Sequence, residues 1–294
     1  MLNFIDGGVC AAQGFRAAGV HVGVKTHAAW KKDVALIVSD VDCAAAAVFT
    51  KNVVKAAPIH VDIAHLKDGR ARAIIANSGN ANACAPHGEE YAERMCAAAA
   101  KAVGCEAGDV LVSSTGVIGQ TINIQVIEEG VPALYEALEA SPEGSDAAAH
   151  AIMTTDTQKK EAAVETTVGG KTVRLGGIAK GSGMIHPNMG TMLCFLTTDC
   201  AISSAMIKTA LLETVNVSFN RISVDGDTST NDSCVVLANG LAGNDEIREK
   251  GPDYEAFLAA LRALCVELAK KMASDGEGAK HIITCAVSGA RDER

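Results

Sequence analysis

The stretch KGSGMIHPNMGTMLCF, residues 180–195, puts a Gly-Thr bond, Gly190-Thr191, where a glycine-rich loop meets an apolar run. A threonine hydroxyl is a weak nucleophile until a base stands beside it. An N-terminal threonine carries that base itself, because its free α-amine has a pKa of roughly 8 and can take the hydroxyl proton. A chain makes such a residue internally when the side chain attacks the preceding carbonyl and the resulting ester is hydrolysed. That reaction asks for a small residue before the threonine, a turn that presents the carbonyl, and donors for the oxyanion. Gly190 is small, Pro187-Asn188 is a turn signal, and the apolar run would fix Thr191 to a rigid strand edge. The same residues also fit a plain glycine-rich hairpin feeding a strand, since Gly-Thr is a common pair.

Other polar clusters supply the remaining parts of such chemistry. SSTGVIG, 113–119, follows a strand-like run, so the backbone N–H groups at Thr115 and Gly116 can converge on an anion as an oxyanion hole. An ordinary strand-to-helix turn explains the same residues. IMTTDTQKK, 152–160, stacks hydroxyls at the end of a helical stretch, and ANSGNANAC, 76–84, is a small polar loop after a strand. SVDGDTSTNDS, 223–233, spaces Asp225, Asp227 and Ser229 as a calcium loop would. It has Thr230 where that loop needs glycine and Val236 where it needs a bidentate glutamate, so it is not one. SDGEGAK, 274–280, places Glu277 between glycines at a helix exit, a position that also suits a solvated carboxylate.

The elements that must position these residues follow from periodicity. Strand-like runs occur at 33–40, 44–50, 71–79 and 109–116, with a capped helix at 88–104 between the last two. A second helical stretch, 122–140, has Pro132 at a break or a new first turn. Residues 162–179 read as a hairpin turning at Gly169-Gly170. Then come the run 191–199, a helix at 203–215, a long helix at 254–274 and a strand at 281–289. Hairpins mixed with long helices predict a layered α/β architecture with mixed sheets rather than a doubly wound parallel sheet. No glycine-rich phosphate loop stands at a strand-to-helix junction.

Composition narrows the partners. The 294 residues are 48% apolar but only 3% aromatic, so the core is aliphatic and alanine-rich. A net charge of −9 without a basic run argues against nucleic acid and anionic membranes. No apolar run approaches the roughly 18 residues of a membrane span, and the N-terminus lacks the pattern of a signal peptide. Ten cysteines form no CxxC pairing and eight histidines no HxxH or HExxH spacing, so reduced thiols, a cytoplasmic location and no metal are expected.

Taken in order, ANSGNANAC, SSTGVIG, IMTTDTQKK, GGIAKGSGMIHPNMGTML, SVDGDTSTNDS and DGEGAK, spread over residues 14–280, closely resemble the ArgJ family: glutamate N-acetyltransferase, also called ornithine acetyltransferase, of arginine biosynthesis. The resemblance implies a DmpA/ArgJ-like α-β-β-α sandwich of the self-processed N-terminal-nucleophile type. It implies cleavage between Gly190 and Thr191 into an α segment, 1–190, and a β segment, 191–294, of one main α/β domain. Thr191 is then the nucleophile and Thr115 and Gly116 the oxyanion pair. Thr154, Lys180, Thr191 and Glu277 are the substrate contacts, with Lys180 suited to an amino-acid carboxylate and Glu277 to the cationic end of ornithine. The family continues through a small C-terminal region that AVSGARDER does not carry, so that closing domain is expected to be absent from this chain.

The implied reaction is ping-pong acetyl transfer from N2-acetyl-L-ornithine to L-glutamate, with no cofactor and with acetyl-CoA as a candidate co-substrate. The implied assembly is an α/β heterotetramer of self-cleaved chains. Two rival readings are a DmpA-like amidase or aminopeptidase, and a truncated, inactive protein that only binds amino acids.

Overall fold

The computed structural model describes residues 2–26, 28, 30–187 and 192–291. Its architecture turns on one strand. The runs expected as separate strands at 33–40 and 44–50 form a single strand, β3, Val34–Phe49. Asp40, Val41 and Asp42 are exposed in the middle of it, and the register to the next strand shifts between Val38 and Cys43. Such an irregularity bends a strand and lets its halves serve different layers of one sheet. The first half pairs antiparallel with β2, Phe15–Val20, and with β4, Arg70–Asn80. The second half pairs with β9, Ser233–Ala238.

The remaining strands extend these halves. β1, Asn3–Ile5, β6, Lys160–Val168, β7, Lys171–Lys180, and β8, Leu193–Thr198, continue outward from β9, while β5, Val110–Val117, runs parallel to β4. The sheet is therefore mixed, with parallel pairs β4–β5 and β8–β9. In the β6–β7 hairpin, Gly169 and Gly170 both have positive φ, +54° and +76°, the turn geometry that matches strand twist. β7, before the expected cleavage point, pairs with β8 after it, so the two expected segments interleave in one sheet.

Apolar residues face each other across the two halves: Ala35, Ile37, Ile74 and Leu111 on one side pack with Ile178, Leu193, Phe195, Val235 and Leu237 on the other. The small alanines let these layers approach closely. α5, Ser204–Val217, and α6, Pro252–Ser274, cover the outer face of β6 to β9. α1, Ala57–His65, α2, Gly88–Val103, and α3, Ile124–Glu136, cover the opposite outer face. α4, Pro142–Ala151, wedges alanines 148, 149 and 151 into the middle layer. This is the expected α-β-β-α sandwich.

Two local expectations are corrected. Pro132 neither breaks nor restarts α3 but lies inside it. A proline there costs roughly 3 kcal/mol, offset by burying Ile127, Val131 and Leu134 on the core face. The segment 281–289 is not a strand: it is exposed throughout and has no ladder partner for its backbone. No helix among the described residues is long and apolar enough to cross a membrane.

Candidate active site

The ends of the parallel strands β4 and β5 form the base of the site. Ser78 is in register with Thr115, and Gly79 with Gly116. Gly116 has φ +132°, and a Cβ there would lie 2.4 Å from the Gly79 carbonyl carbon. Only glycine allows the two backbones to close at this point. Asn231, from the loop 223–233, ties the strand ends together by donating from Nδ2 to the carbonyls of Ala81 (2.6 Å) and Ser114 (2.8 Å).

Lys180 ends β7 directly over this base. Its Nζ donates to Thr115 Oγ1 at 3.2 Å, and its side chain is only 2% exposed. The contact occupies a lone pair on the Thr115 hydroxyl, and the O–H, without a partner among the described residues, can still donate to an anion. Burial pushes the Lys180 ammonium below its usual range; Asp156 and Asp232 pull it back up and Lys160 adds repulsion. Asp156 is the counter-ion. It accepts from Lys160 Nζ (2.5 Å), from Gly181 N–H (2.7 Å) and from Thr154 N–H (3.0 Å). Burial alone would raise its carboxyl, but the Lys180 and Lys160 ammoniums outweigh that and hold it below the usual range.

Thr154 and Glu277 reach the same place through shared neighbours. Thr154 is held by Asp156, and Thr155 Oγ1 bonds Ser182 Oγ at 2.8 Å, which packs the TTDT loop against the segment after Lys180. Glu277 leaves α6 with its N–H donating to Ser182 C=O at 2.6 Å. Its carboxylate lies over Gly183, where a Cβ would come within 2.5 Å of Oε2. Asp275, just before it, accepts from Thr157 N–H (3.0 Å) and Lys160 Nζ, latching the helix exit to this wall.

Gly190 and Thr191 lie outside the described residues, but both flanks are tethered to the loop 223–233. Asp225 accepts from the N–H groups of Met184 and Ile185, and Asp232 Oδ1 accepts from Met192 N–H at 2.8 Å. Ser233 N–H bonds Met192 C=O at 3.1 Å. Asp232 is fully buried, its Oδ2 has no hydrogen-bond partner among the described residues, and burial pushes its carboxyl well above the usual range.

A sequence model of the ArgJ family matches residues 16–294. The chain belongs to the ArgJ family. The arginine biosynthesis bifunctional protein ArgJ of Symbiobacterium thermophilum is 50% identical to it over 290 residues, 98% of this chain and 72% of that one. Among solved structures, ornithine acetyltransferase of Mycobacterium tuberculosis, complexed with ornithine, has 37% identity and a TM-score of 0.58, covering 66% of this chain and 100% of its own. The L-aminopeptidase D-Ala-esterase/amidase of Ochrobactrum anthropi, described as a variant of the Ntn hydrolase fold, has a TM-score of 0.51 over 90% of this chain and 87% of its own. At 10% identity it is similar in fold alone.

Within this ArgJ-family site, Thr115, Gly116 and Lys180 are in one cluster, and Thr154 and Glu277 stand on its walls. Sequence reasoning singled out neither Asp156 as the counter-ion of two lysines nor Asp232 and Asn231 as anchors. A carboxylate inside TTDT and an Asn-Asp pair inside a hydroxyl-rich loop were visible, but Lys180 comes from the end of β7, and Asn231 and Ala81 are 150 residues apart.

Proposed function

We propose that this chain is an arginine-biosynthesis acetyltransferase that moves the acetyl group of N2-acetyl-L-ornithine to L-glutamate through an acetyl ester on Thr191. Thr191 Oγ attacks the acetyl carbonyl while its own α-amine takes the hydroxyl proton. Thr115 and Gly116 stabilise the tetrahedral oxyanion, a contribution worth about 10²–10³ in rate. The C–N bond to ornithine breaks, and the proton held by the α-amine goes to the leaving nitrogen. The α-amine of glutamate then attacks the ester carbonyl, and Thr191 Oγ leaves and recovers a proton. Lys180 takes the substrate α-carboxylate in a charge-assisted contact, and Glu277 the ornithine ammonium. Acetyl-CoA is the candidate second donor to the same ester, and paired αβ units are the assembly this reading implies.

The observation that carries the reading is the buried Lys180–Thr115 contact, inside a chain that matches its family from residue 16 to 294. The amidase reading has a likeness of fold and no more.

Denaturing electrophoresis and intact mass test the proposal. The wild type is expected to resolve into fragments ending at Gly190 and beginning at Thr191, with Thr191→Ala remaining one chain. Thr191→Ser should still cleave and keep part of the transfer from acetylornithine to glutamate, because a hydroxyl and an α-amine remain. Full transfer activity in Thr191→Ala would remove Thr191 from the mechanism.

A further inference from the structure

Lys25 is a cation at this site that the reaction above leaves unused. It stands on the loop 21–25, which a single carboxylate organises. Asp33, fully buried, accepts from the N–H groups of Val22 (2.7 Å), Gly23 (3.2 Å) and Lys25 (3.0 Å), and pairs with His21 Nδ1 at 3.0 Å. The carbonyl of Asp33 accepts from Ser78 N–H at 2.8 Å, so the loop is fixed to the end of β4, beside the Gly79–Gly116 pair. The lysine stem runs over Gly79, where a Cβ would sit 3.0 Å from Lys25 Cγ.

The head of the side chain is equally constrained. Nζ donates to the carbonyl of Met153 (2.8 Å), immediately before Thr154, and to that of Lys32 (2.9 Å). An ammonium has three donors, and the third has no partner among the described residues. Burial pulls the Lys25 pKa down to about 8; Asp33 opposes this, Lys31 and Lys180 add repulsion, and Asp156 adds attraction. Two neighbouring, partly desolvated ammoniums are unfavourable in an empty pocket and favourable once a ligand brings two negative charges.

We propose that Lys25 is the second substrate cation of the site and holds the side-chain carboxylate of a dicarboxylic amino-acid acceptor, L-glutamate. This rests on the acetyl-transfer reading. The attacking amine and the α-carboxylate share one carbon, so the α-carboxylate must sit nearest the oxyanion pair. Lys180 touches Thr115 and takes that role. Lys25, over the adjacent strand end and beside Thr154, faces the far end of the acceptor. Ornithine, with a cationic side chain, gains nothing from Lys25, so this lysine separates acceptor from donor.

Calorimetric titration of the purified chain with L-glutamate, L-glutamine and N2-acetyl-L-ornithine tests the assignment, glutamine having the shape of glutamate without its side-chain charge. The wild type is expected to prefer glutamate over glutamine by at least about tenfold, the scale of one charge-assisted contact. Lys25→Met should erase that preference, Lys25→Arg should keep it, and acetylornithine should bind all three proteins alike. A merely structural lysine would weaken glutamate and glutamine together, and an unchanged ratio in Lys25→Met overturns the proposal. Should that variant fail to fold, the wild type answers alone: the ratio must fall between about pH 7 and about pH 9 as Lys25 discharges, and a constant ratio overturns the assignment. A wild type that binds none of the three compounds overturns the acetyl-transfer reading itself.

Discussion

Asp156 is the residue on which the buried charges of the site depend. Its carboxylate faces Lys160 at 2.5 Å and is the main attraction on Lys180, both lysines being at most 2% exposed. Removing one partner of a buried ion pair leaves uncompensated charge and costs about 3–5 kcal/mol. Asp156→Asn should therefore lose stability on that scale in urea melts at neutral pH. The pH dependence has a definite sign. The folded pKa of Asp156 lies below its unfolded value, so its contribution is present above the usual aspartate range and is lost as pH falls through the folded value. The gap between wild type and Asp156→Asn should shrink on acidification; a gap independent of pH would show that the carboxylate charge does not carry the effect. The motif TTDT was readable as a cluster of polar groups at a helix end. That its aspartate serves lysines was not, because the second lysine belongs to the next strand of the hairpin.

Among the elements, the junction of β4 and β5 is the least tolerant of change. Gly116→Ala would put a methyl 2.4 Å from the Gly79 backbone at φ +132°, a conformation that side chains rarely adopt. Backbone strain of this kind costs about 1–3 kcal/mol, and relief by spreading the strands would move Thr115 away from Lys180. The variant should melt lower and transfer acetyl poorly even where it remains folded. Wild-type melting would show that the two strand ends are not as closely packed as Gly79 and Gly116 place them. Most elements here were legible: the Gly169-Gly170 hairpin from its turn residues, α2 and α6 from their periodicity. β3 was not, because Val41, Asp42 and Cys43 read as a break between two separate runs. Only the pairing of both strand halves, with β4 on one side and β9 on the other, makes them the middle of one bent strand. α4 was legible only as a helical stretch ending at residue 152, without a start. Its alanines show little periodicity, and what makes it a core helix is the layer it enters.

At the scale of the whole molecule, the sandwich sorts the cysteines. Cys43, Cys96, Cys194, Cys200, Cys234 and Cys265 are buried, while Cys84 and Cys285 are exposed. Burial pushes the thiols of Cys43 and Cys200 up to about 12, far from the reactive thiolate. A thiol reagent should label Cys84 and Cys285 promptly in the native protein and reach the six buried cysteines only in denaturant; rapid native labelling of the buried set would contradict the layered core. The sequence by itself determined the chemistry on offer. Gly190-Thr191, the Thr115-Gly116 pair and the order of the polar blocks are contiguous features, legible without knowing what folds against them. The tertiary structure decided how the charges are balanced. Lys180 meets Thr115 across 65 residues, and Lys25 meets Met153 across 128. A charge taken out of water must find its partner wherever the fold brings one, and for Lys180 and Lys25 no local spacing in the chain records it.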